Sequence, residues 1–113
     1  MEKIIELNGI DINSFLGPQD QNIKLIEDAS HAHGMYLNGI HAGNFGDIGV
    51  FSLHQRKSLC VGDGGIIITK NKSVEKKIRK LRSFGHQELS YNYRMTELHA
   101  AMGLCNLKYI NHI

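Results

Sequence analysis

Runs of apolar residues separated by glycine-rich turns organise the chain from Ile23 onward. The segment IKLIED, at 23–28, carries apolar residues up to a polar end and predicts a buried strand. IGVFSL, at 48–53, and GGIIITK, at 64–70, have the β-branched content of two further strands. Between the first two strands, ASHAHGMYLNG predicts a helical turn followed by a loop.

A helix is predicted after the third strand. Val74, Ile78 and Leu81 recur at helical spacing, and Lys and Arg residues fill the opposite face. That basic face is typical of a solvated helix surface rather than of a binding patch. We expect Ser73 to be the N-cap and Gly85 to close the helix.

A second helix is predicted from about Thr96 into the tail. Its expected apolar face comprises Leu98, Ala101, Met102, Cys105 and Ile110. Strands separated by loops and helices, rather than by tight hairpins, predict an α/β fold whose sheet is at least partly parallel.

The first 22 residues lack this regularity. They contain two short apolar clusters, followed by Gly17 and Pro18, which break regular structure. We therefore treat 1–22 as an atypical N-terminal segment and 23–113 as the folded domain.

Composition limits the possible functions. A chain of 113 residues with 42% apolar and 21% charged residues can form one modest α/β domain. The net charge of +2, without a basic run interleaved with aromatic residues, argues against nucleic-acid binding. No apolar stretch approaches the roughly 20 residues that cross a bilayer, and the acidic start is unlike a signal peptide. We expect a soluble, cytoplasmic protein with no membrane partner.

The two cysteines do not indicate a metal site. Cys60 and Cys105 lack metal-ligand spacing and a secretory context, so we expect both to be reduced. Cys105 is expected to lie in the core, on the last helix.

Candidate chemistry collects where the predicted strands end. Lys57 lies between IGVFSL and the GDGG turn, Asp28 ends the first strand, and Ser52 lies near the end of the second. In an open α/β sheet these side chains share one crevice. A lysine and a carboxylate placed in this way can hold pyridoxal phosphate, with the lysine amine forming the Schiff base and the carboxylate keeping the ring nitrogen protonated. Ser52 would offer its hydroxyl to the phosphate, and Lys57 would also move protons as a general acid/base.

Each of these residues also has a simpler interpretation. Asp28 could be a turn former or a helix cap, Ser52 a small polar residue in a strand, and Lys57 an ordinary surface lysine. A metal-dependent hydrolase built on Asp28, His31, His33 and His54 is a more distant alternative. These histidines and the aspartate lack a standard ligand spacing.

Three blocks of sequence in the same order resemble one family. LIEDASHAHG, GNFGDIGVFSLHQRKSLCVGDGGIIIT and SYNYRMTELHAAMGL together resemble the DegT/StrS-type pyridoxal phosphate-dependent sugar aminotransferases. The resemblance implies an α/β fold: the central part of the mostly parallel-sheet large domain of a fold type I aminotransferase, truncated at both ends. It also implies transfer of an amino group from glutamate or glutamine to a keto sugar, expected to be nucleotide-linked, or to a keto-cyclitol.

The resemblance also implies roles for five residues. Lys57 corresponds to the Schiff-base lysine, Asp28 to the partner of the pyridine nitrogen, and Ser52 to the phosphate-binding serine. His31 corresponds to a residue near the cofactor's phenolic oxygen or ring face. Asn92 corresponds to an asparagine that reaches the phosphate in the neighbouring subunit, which implies a homodimer with shared active sites.

The chain also departs from the family pattern. We expect the glycine–threonine turn that cups the phosphate and the aromatic residue that stacks on the ring to be absent from 1–22, and the C-terminal small domain to be absent after Leu107. His54 and Arg94, in the same motifs, are further candidates for substrate or cofactor contacts. Two expectations remain: an aminotransferase with weak or no activity as an isolated chain, or a non-catalytic remnant that does not hold the cofactor unaided.

Overall fold

The computed structural model describes residues 6–7, 10–11, 24–84 and 89–110. Seven strands and two helices lie within these residues: β1 (Glu6–Leu7), β2 (Ile10–Asp11), β3 (Ile26–Asp28), β4 (Tyr36–Leu37), β5 (Ile40–His41), β6 (Ile48–Ser52), β7 (Gly65–Ile68), α1 (Lys72–Leu81) and α2 (Glu97–Leu107). β1 and β2 form an antiparallel pair in the segment that the sequence left unassigned. Neither described helix has the length and apolar character needed to cross a membrane.

The central sheet has three strands in the order β3-β6-β7. β3 and β6 run parallel, with Asp28 opposite Val50, and β6 and β7 run antiparallel, with Ser52 opposite Gly65. The predicted α/β class and the partly parallel sheet are therefore confirmed. In the described part of the chain the sheet is mixed rather than mostly parallel, because β7 returns directly beside β6.

Strand β3 is less buried than its sequence predicts. The side chain of Ile26 is 64% exposed, whereas Ala29, just after the strand, is 2% exposed. The predicted strand is therefore present at Ile26–Asp28, but the prediction that it is buried is wrong. Among the described residues, nothing covers the face of β3 on which Ile26 lies.

Two small clusters of buried apolar residues form the core. The first, which we call the sheet cluster, contains Ala29, Ala42 and Phe51, with Ala32 and Ile68 packed against it. The second, which we call the loop cluster, contains Leu53, Leu59 and Val61, with Met95 and Ile110 packed against it. The loop cluster lies in the connection between β6 and β7, so it supports the segment that carries Lys57.

Strands β4 and β5 form a short hairpin that the sequence prediction missed. Tyr36 pairs with His41 across a two-residue turn, Asn38–Gly39, whose φ angles are 50° and 76°. Asn-Gly with two positive φ angles is typical of the type I′ turn that matches the twist of paired strands. The prediction of a helical turn and loop at 29–39 is therefore wrong from Tyr36 onward.

The N-cap of helix α1 lies two residues before the predicted one. The Asn71 Oδ1 atom accepts hydrogen bonds from the backbone N–H groups of Ser73, at 2.9 Å, and Val74, at 3.2 Å. Asn71 is therefore the N-cap, and the prediction of Ser73 is wrong. The helix ends at Leu81 and stops short of Gly85, which lies outside the described residues.

Removal of the Asn71 cap is expected to destabilise the protein. We expect Asn71→Ala to lower the free energy of unfolding by about 1 kcal/mol, because two N–H groups of the first helical turn lose their acceptor. Ser73→Ala, the matched control, should change it by less than about 0.5 kcal/mol. Urea unfolding followed by circular dichroism measures both, and equal losses in the two variants would contradict this assignment of the cap.

Helix α2 begins where predicted, but a different face points inward. Thr96 is its N-cap, accepting a hydrogen bond from the His99 N–H at 3.3 Å. On the predicted apolar face, Leu98 is 71% exposed and Met102 is 43% exposed. Cys105 is also exposed, so its prediction as a core residue is wrong.

The inward contacts of α2 come from small and polar residues. Asn106 Nδ2 donates a hydrogen bond to the Cys60 carbonyl at 2.8 Å, and Gly103 lies against the side chain of Val61. Ile110 lies beyond the end of the helix and packs on the loop cluster. Helix α2 therefore packs against the connection between β6 and β7 at Cys60 and Val61 and supports it.

Candidate active site

Lys57 projects from the well-supported connection between β6 and β7. The connection starts as a continuation of the two strands, with the Leu53 N–H donating to the Gly64 carbonyl at 2.8 Å. A turn follows, closed by the Lys57 N–H donating to the His54 carbonyl at 2.9 Å. Leu53 and Val61, on either side of this turn, are both buried in the loop cluster. The backbone of the half-buried Lys57 is therefore held in place.

Asp28 lies at the carboxyl end of the neighbouring strand β3. The Ala29 N–H donates to the Val50 carbonyl at 2.8 Å, which extends the parallel pairing of β3 and β6 by one residue. The Ser30 N–H then donates to Asp28 Oδ1 at 3.0 Å, closing a turn around the carboxylate. The backbone thus turns away from the sheet immediately after the carboxylate.

The environment of Asp28 keeps it ionised at neutral pH. Hydrogen bonds from the Ser30 side chain and backbone lower the pKa of this carboxyl below its ordinary value, and the nearby positive charge of Lys57 lowers it further. A carboxylate at this position is therefore a fixed negative charge.

Lys57 and His31 contact each other directly. The Lys57 Nζ atom lies 2.6 Å from His31 Nε2. An ammonium group has no acceptor, so His31 Nε2 accepts the hydrogen bond and the imidazole is neutral with its proton on Nδ1. Two elements far apart in sequence thus place an amine, an imidazole and a carboxylate at the same edge of the sheet.

Ser52 lies at this edge as the last residue of β6. Its half-buried side chain accepts a hydrogen bond from the His54 N–H at 3.3 Å. Its backbone carbonyl accepts one from His33 Nε2 at 2.8 Å. This contact of His33 was not anticipated from the sequence, in which His33 figured only as a possible metal ligand.

Asn92 and Arg94 lie on a different segment. Asn92 forms an isolated antiparallel bridge with Ser83, and the guanidinium of Arg94 lies 5.1 Å from the ring centroid of Phe84. The structure therefore brings together Asp28, His31 and Lys57, with Ser52 on the same edge. It places Asn92 and Arg94 beside the chain that follows α1.

A separate groove lies between β7, α1 and the segment after residue 90. It has a volume of about 1170 Å³, and its lining includes Ile66, Ile78, Tyr93 and Arg94 but none of Asp28, His31, Ser52 and Lys57. This groove is therefore not part of the site around Lys57. Among the described residues, no three His, Cys, Asp or Glu side chains come together in a way that could hold a metal ion.

Three carboxyl groups share a lowered pKa. For Asp28 the pKa is lowered mainly by the hydrogen bond from Ser30. For Asp47 the main cause is the hydrogen bond from the Leu25 backbone N–H, and for Glu75 it is the hydrogen bond from Arg79. Each group therefore has a lower pKa folded than unfolded. Its contribution to stability is present above the unfolded pKa and is lost as the pH falls through the folded pKa.

The protein is therefore expected to lose stability in acid. We expect the urea midpoint to be nearly constant from neutral pH down to about pH 5 and to fall below about pH 4, where these carboxylates take up protons. Asp47→Asn should lower the midpoint at neutral pH and make the acid decrease shallower. Equilibrium urea unfolding at a series of pH values measures both, and a midpoint that rises on acidification would contradict the assignment.

Comparison with known proteins places this geometry in a structural class. The fold matches that of DesI, solved in the presence of its TDP-sugar product, with a TM-score of 0.78 and 33% identity over 83% of this chain and 26% of that one. It also matches the Helicobacter pylori aminotransferase PseC, involved in pseudaminic acid biosynthesis, with a TM-score of 0.75 and 28% identity over 80% of this chain and 27% of that one. These are fold type I aminotransferases.

The sequence places the chain in a family. Residues 18–113 match the DegT/DnrJ/EryC1/StrS aminotransferase family, and the chain belongs to it. It is 38% identical to a UDP-4-amino-4,6-dideoxy-N-acetyl-beta-L-altrosamine transaminase of Campylobacter jejuni, over 80% of this chain and 27% of the relative. It is 33% identical to a GDP-perosamine synthase of Escherichia coli O157:H7, over 96% of this chain and 29% of the relative. The chain thus spans less than a third of the length of these relatives.

Proposed function

We propose that this chain carries the cofactor-attachment site of a pyridoxal phosphate-dependent sugar aminotransferase, with Lys57 as the attachment residue. The main observation in support is that Lys57 Nζ lies 2.6 Å from His31 Nε2, at the edge of the sheet where Asp28 ends β3. Membership of the aminotransferase family supports the proposal.

The residues present fit this cofactor. Lys57 offers an amine on a supported loop, Asp28 offers an ionised carboxylate, and Ser52 offers a hydroxyl at the end of the adjacent parallel strand. These groups match an aldehyde, a pyridine nitrogen and a phosphate respectively. When bound, pyridoxal phosphate supplies the electron-accepting ring through which an amino group is taken up and passed on.

Each side chain has a distinct task in this proposal. Asp28 places a negative charge that favours a protonated ring nitrogen, and its lowered pKa keeps that charge present at neutral pH. His31 accepts a hydrogen bond from Lys57 and thereby fixes the direction of the amine. Lys57 would also take and return a proton as a general acid/base. Ser52 would offer its hydroxyl to the phosphate.

The substrates follow from the relatives. A UDP-sugar transaminase and a GDP-perosamine synthase are among the proteins that this chain resembles. We therefore propose a nucleotide-linked keto sugar as the amino acceptor, with a keto-cyclitol as the alternative, and glutamate or glutamine as the amino donor. The sugar itself would be selected by parts of the pocket that the three residues Asp28, His31 and Lys57 do not form.

A shared site in a homodimer is part of the proposal. Asn92 is exposed and lies on the segment paired with Ser83, away from the Lys57 edge of its own chain. It is therefore available to the phosphate of a neighbouring subunit. The competing possibility is a non-catalytic chain that does not hold the cofactor unaided.

A spectroscopic titration separates these possibilities. The folded chain is mixed with pyridoxal phosphate, the visible absorbance of lysine-bound cofactor is recorded, and glutamate or glutamine is then added. We expect a saturable visible band that the amino donor converts to the amine form of the cofactor. A band that no donor changes would support a chain that binds the cofactor without transamination. A folded chain without a saturable band would contradict the proposed function.

A further inference from the structure

His33 links two segments of the candidate site, yet none of the proposed roles uses it. It lies in the loop that follows β3, three residues before β4. Its Nε2 atom is 2.8 Å from the backbone carbonyl oxygen of Ser52, at the end of β6. A carbonyl oxygen only accepts hydrogen bonds, so His33 Nε2 carries a proton and donates it.

The surroundings of the imidazole favour a single protonation form. Its ring packs against Phe51 of the sheet cluster, with ring centroids 5.6 Å apart at an angle of 43°. Its Nδ1 atom is buried and has no hydrogen-bond partner among the described residues. Protonating Nδ1 would bury an N–H group and a charge without an acceptor, which is unfavourable. The geometry therefore selects the neutral ring with its proton on Nε2.

We propose that His33 is a positioning residue that holds the Asp28–His31 segment in register with the strand end that leads from Ser52 to Lys57. The inference rests on the proposed function, because it assigns His33 to the same site. The parallel pairing ends at the bond between the Ala29 N–H and the Val50 carbonyl. Beyond that point, the bond from His33 to Ser52 keeps the two segments together.

Loss of the bond between His33 and Ser52 is expected to disturb the contact between Lys57 and His31. His31 is two residues from His33 in the same loop, so displacement of the loop moves the acceptor away from Lys57 Nζ. A shift of about 1 Å exceeds the range of a hydrogen bond and is enough to impair a positioned reacting group severely. Lys57 would then behave as an ordinary exposed lysine.

The first test uses the unaltered chain. Nitrogen-15 NMR of the histidine rings distinguishes a protonated Nε2 from a protonated Nδ1. We expect His33 to be neutral, with its proton on Nε2, at neutral pH. A proton on Nδ1 alone, or on both nitrogens, would overturn the proposal without any variant having been made.

The second test measures the amine of Lys57 directly, without cofactor. An amine-selective acylating reagent is applied to the folded chain, and labelling of Lys57 is compared by mass spectrometry with labelling of the exposed Lys70 in the same molecule. His33→Phe keeps an aromatic ring against Phe51 but has no donor, and His33→Gln restores an N–H donor. Ser73→Ala, at an exposed position of α1, is the control.

Wild-type Lys57 should be labelled more slowly than Lys70, because its amine is hydrogen-bonded to His31. We expect His33→Phe to raise the Lys57-to-Lys70 ratio about fivefold, the effect of one lost hydrogen bond. His33→Gln should restore the wild-type ratio, and Ser73→Ala should leave it unchanged.

An unchanged ratio in folded His33→Phe, or equal changes in His33→Gln and His33→Phe, would overturn the proposal. If His33→Phe does not fold, the nitrogen-15 result and the ratio in His33→Gln decide.

A final comparison separates this inference from the proposed function. The same variants are treated with pyridoxal phosphate and borohydride, and the reduced adduct on Lys57 is quantified. If the labelling ratio responds to His33 as expected but no adduct forms on wild-type Lys57, the positioning role stands and the cofactor proposal fails. If the adduct forms equally in wild type and in folded His33→Phe, the cofactor proposal stands and the positioning role fails.

Discussion

Gly49→Ala is expected to prevent the chain from folding stably. A Cβ atom at Gly49 would overlap the carbonyl oxygen of Gly43 and lie 2.5 Å from its Cα atom. These are backbone atoms, so no side-chain rotation relieves the clash. Gly49 is buried in β6, between Glu27 of β3 and Ile68 of β7, so the strand has no room to retreat.

The turn above Gly49 is also held from a second side. The carboxylate of Glu27 accepts hydrogen bonds from the Gly43 N–H at 2.6 Å and the Phe45 N–H at 2.9 Å. Displacing Gly43 to admit a methyl group would break these bonds and disturb Phe51, which lies under the same turn. We expect a loss of about 3–5 kcal/mol, a large part of the stability of a small domain.

A second glycine provides the matched control. A Cβ atom at Gly103, in α2, would meet the Val61 side chain at 3.2 Å, and that side chain can adjust. Gly103→Ala also gains helix propensity, so the change in unfolding free energy should stay within about 1 kcal/mol. Urea unfolding of the two variants checks the comparison. A Gly49→Ala variant as stable as Gly103→Ala would show that the turn at residue 43 does not lie on β6.

Lys57→Ala is expected to abolish covalent attachment of pyridoxal phosphate. The aldehyde needs an amine at a defined position, and the Lys57 amine is the one that the structure holds against His31 near Asp28. At low cofactor concentration the visible band should disappear altogether. The variant should still fold, because Lys57 forms no ion pair within the described part of the chain. Loss of the visible band would then report loss of the attachment residue.

Lys70→Ala is the control for this prediction. Lys70 is exposed just after β7, so its removal takes away one lysine without touching the site. It should leave the visible band and the apparent affinity unchanged. Circular dichroism shows whether each variant is folded. A folded Lys57→Ala variant that keeps the band would mean that another lysine carries the cofactor.

The main elements of the sheet could be predicted from local pattern. The strands near 48–53 and 64–70 were found because β-branched runs are bounded by glycine turns. The hairpin of β4 and β5 was missed, although Asn38–Gly39 carries its turn signal, because the surrounding residues were interpreted as a helical segment. The cap of α1 was misplaced because Asn71 and Ser73 are both suitable caps, and only the backbone entering the helix distinguishes them.

Burial was harder to predict than secondary structure. The sequence shows which face of α2 is apolar, but the helix contacts the loop cluster through Gly103 and Asn106. A hydrogen bond from Asn106 to the Cys60 carbonyl, 46 residues away, has no local signature. Whether Ile26 on β3 is exposed likewise depends on which other elements pack on that face of the sheet, and a local sequence pattern does not specify them.

The candidate site was partly predictable for a topological reason. Side chains at the carboxyl ends of adjacent parallel strands lie at one edge, and this rule predicts that Asp28 lies near Ser52 and Lys57. The direct contact of His31 with Lys57 depends on side-chain conformation and emerged from the structure. The bond from His33 to the Ser52 carbonyl was missed because a backbone acceptor leaves no mark in the sequence.

The site of borohydride reduction tests the central claim most directly. The folded chain is incubated with a slight excess of pyridoxal phosphate, reduced, digested and mapped by mass spectrometry. The proposed function predicts that the pyridoxyl group lies on Lys57 in nearly every modified molecule. A label spread over exposed lysines such as Lys70, or no label on a folded chain, would contradict it.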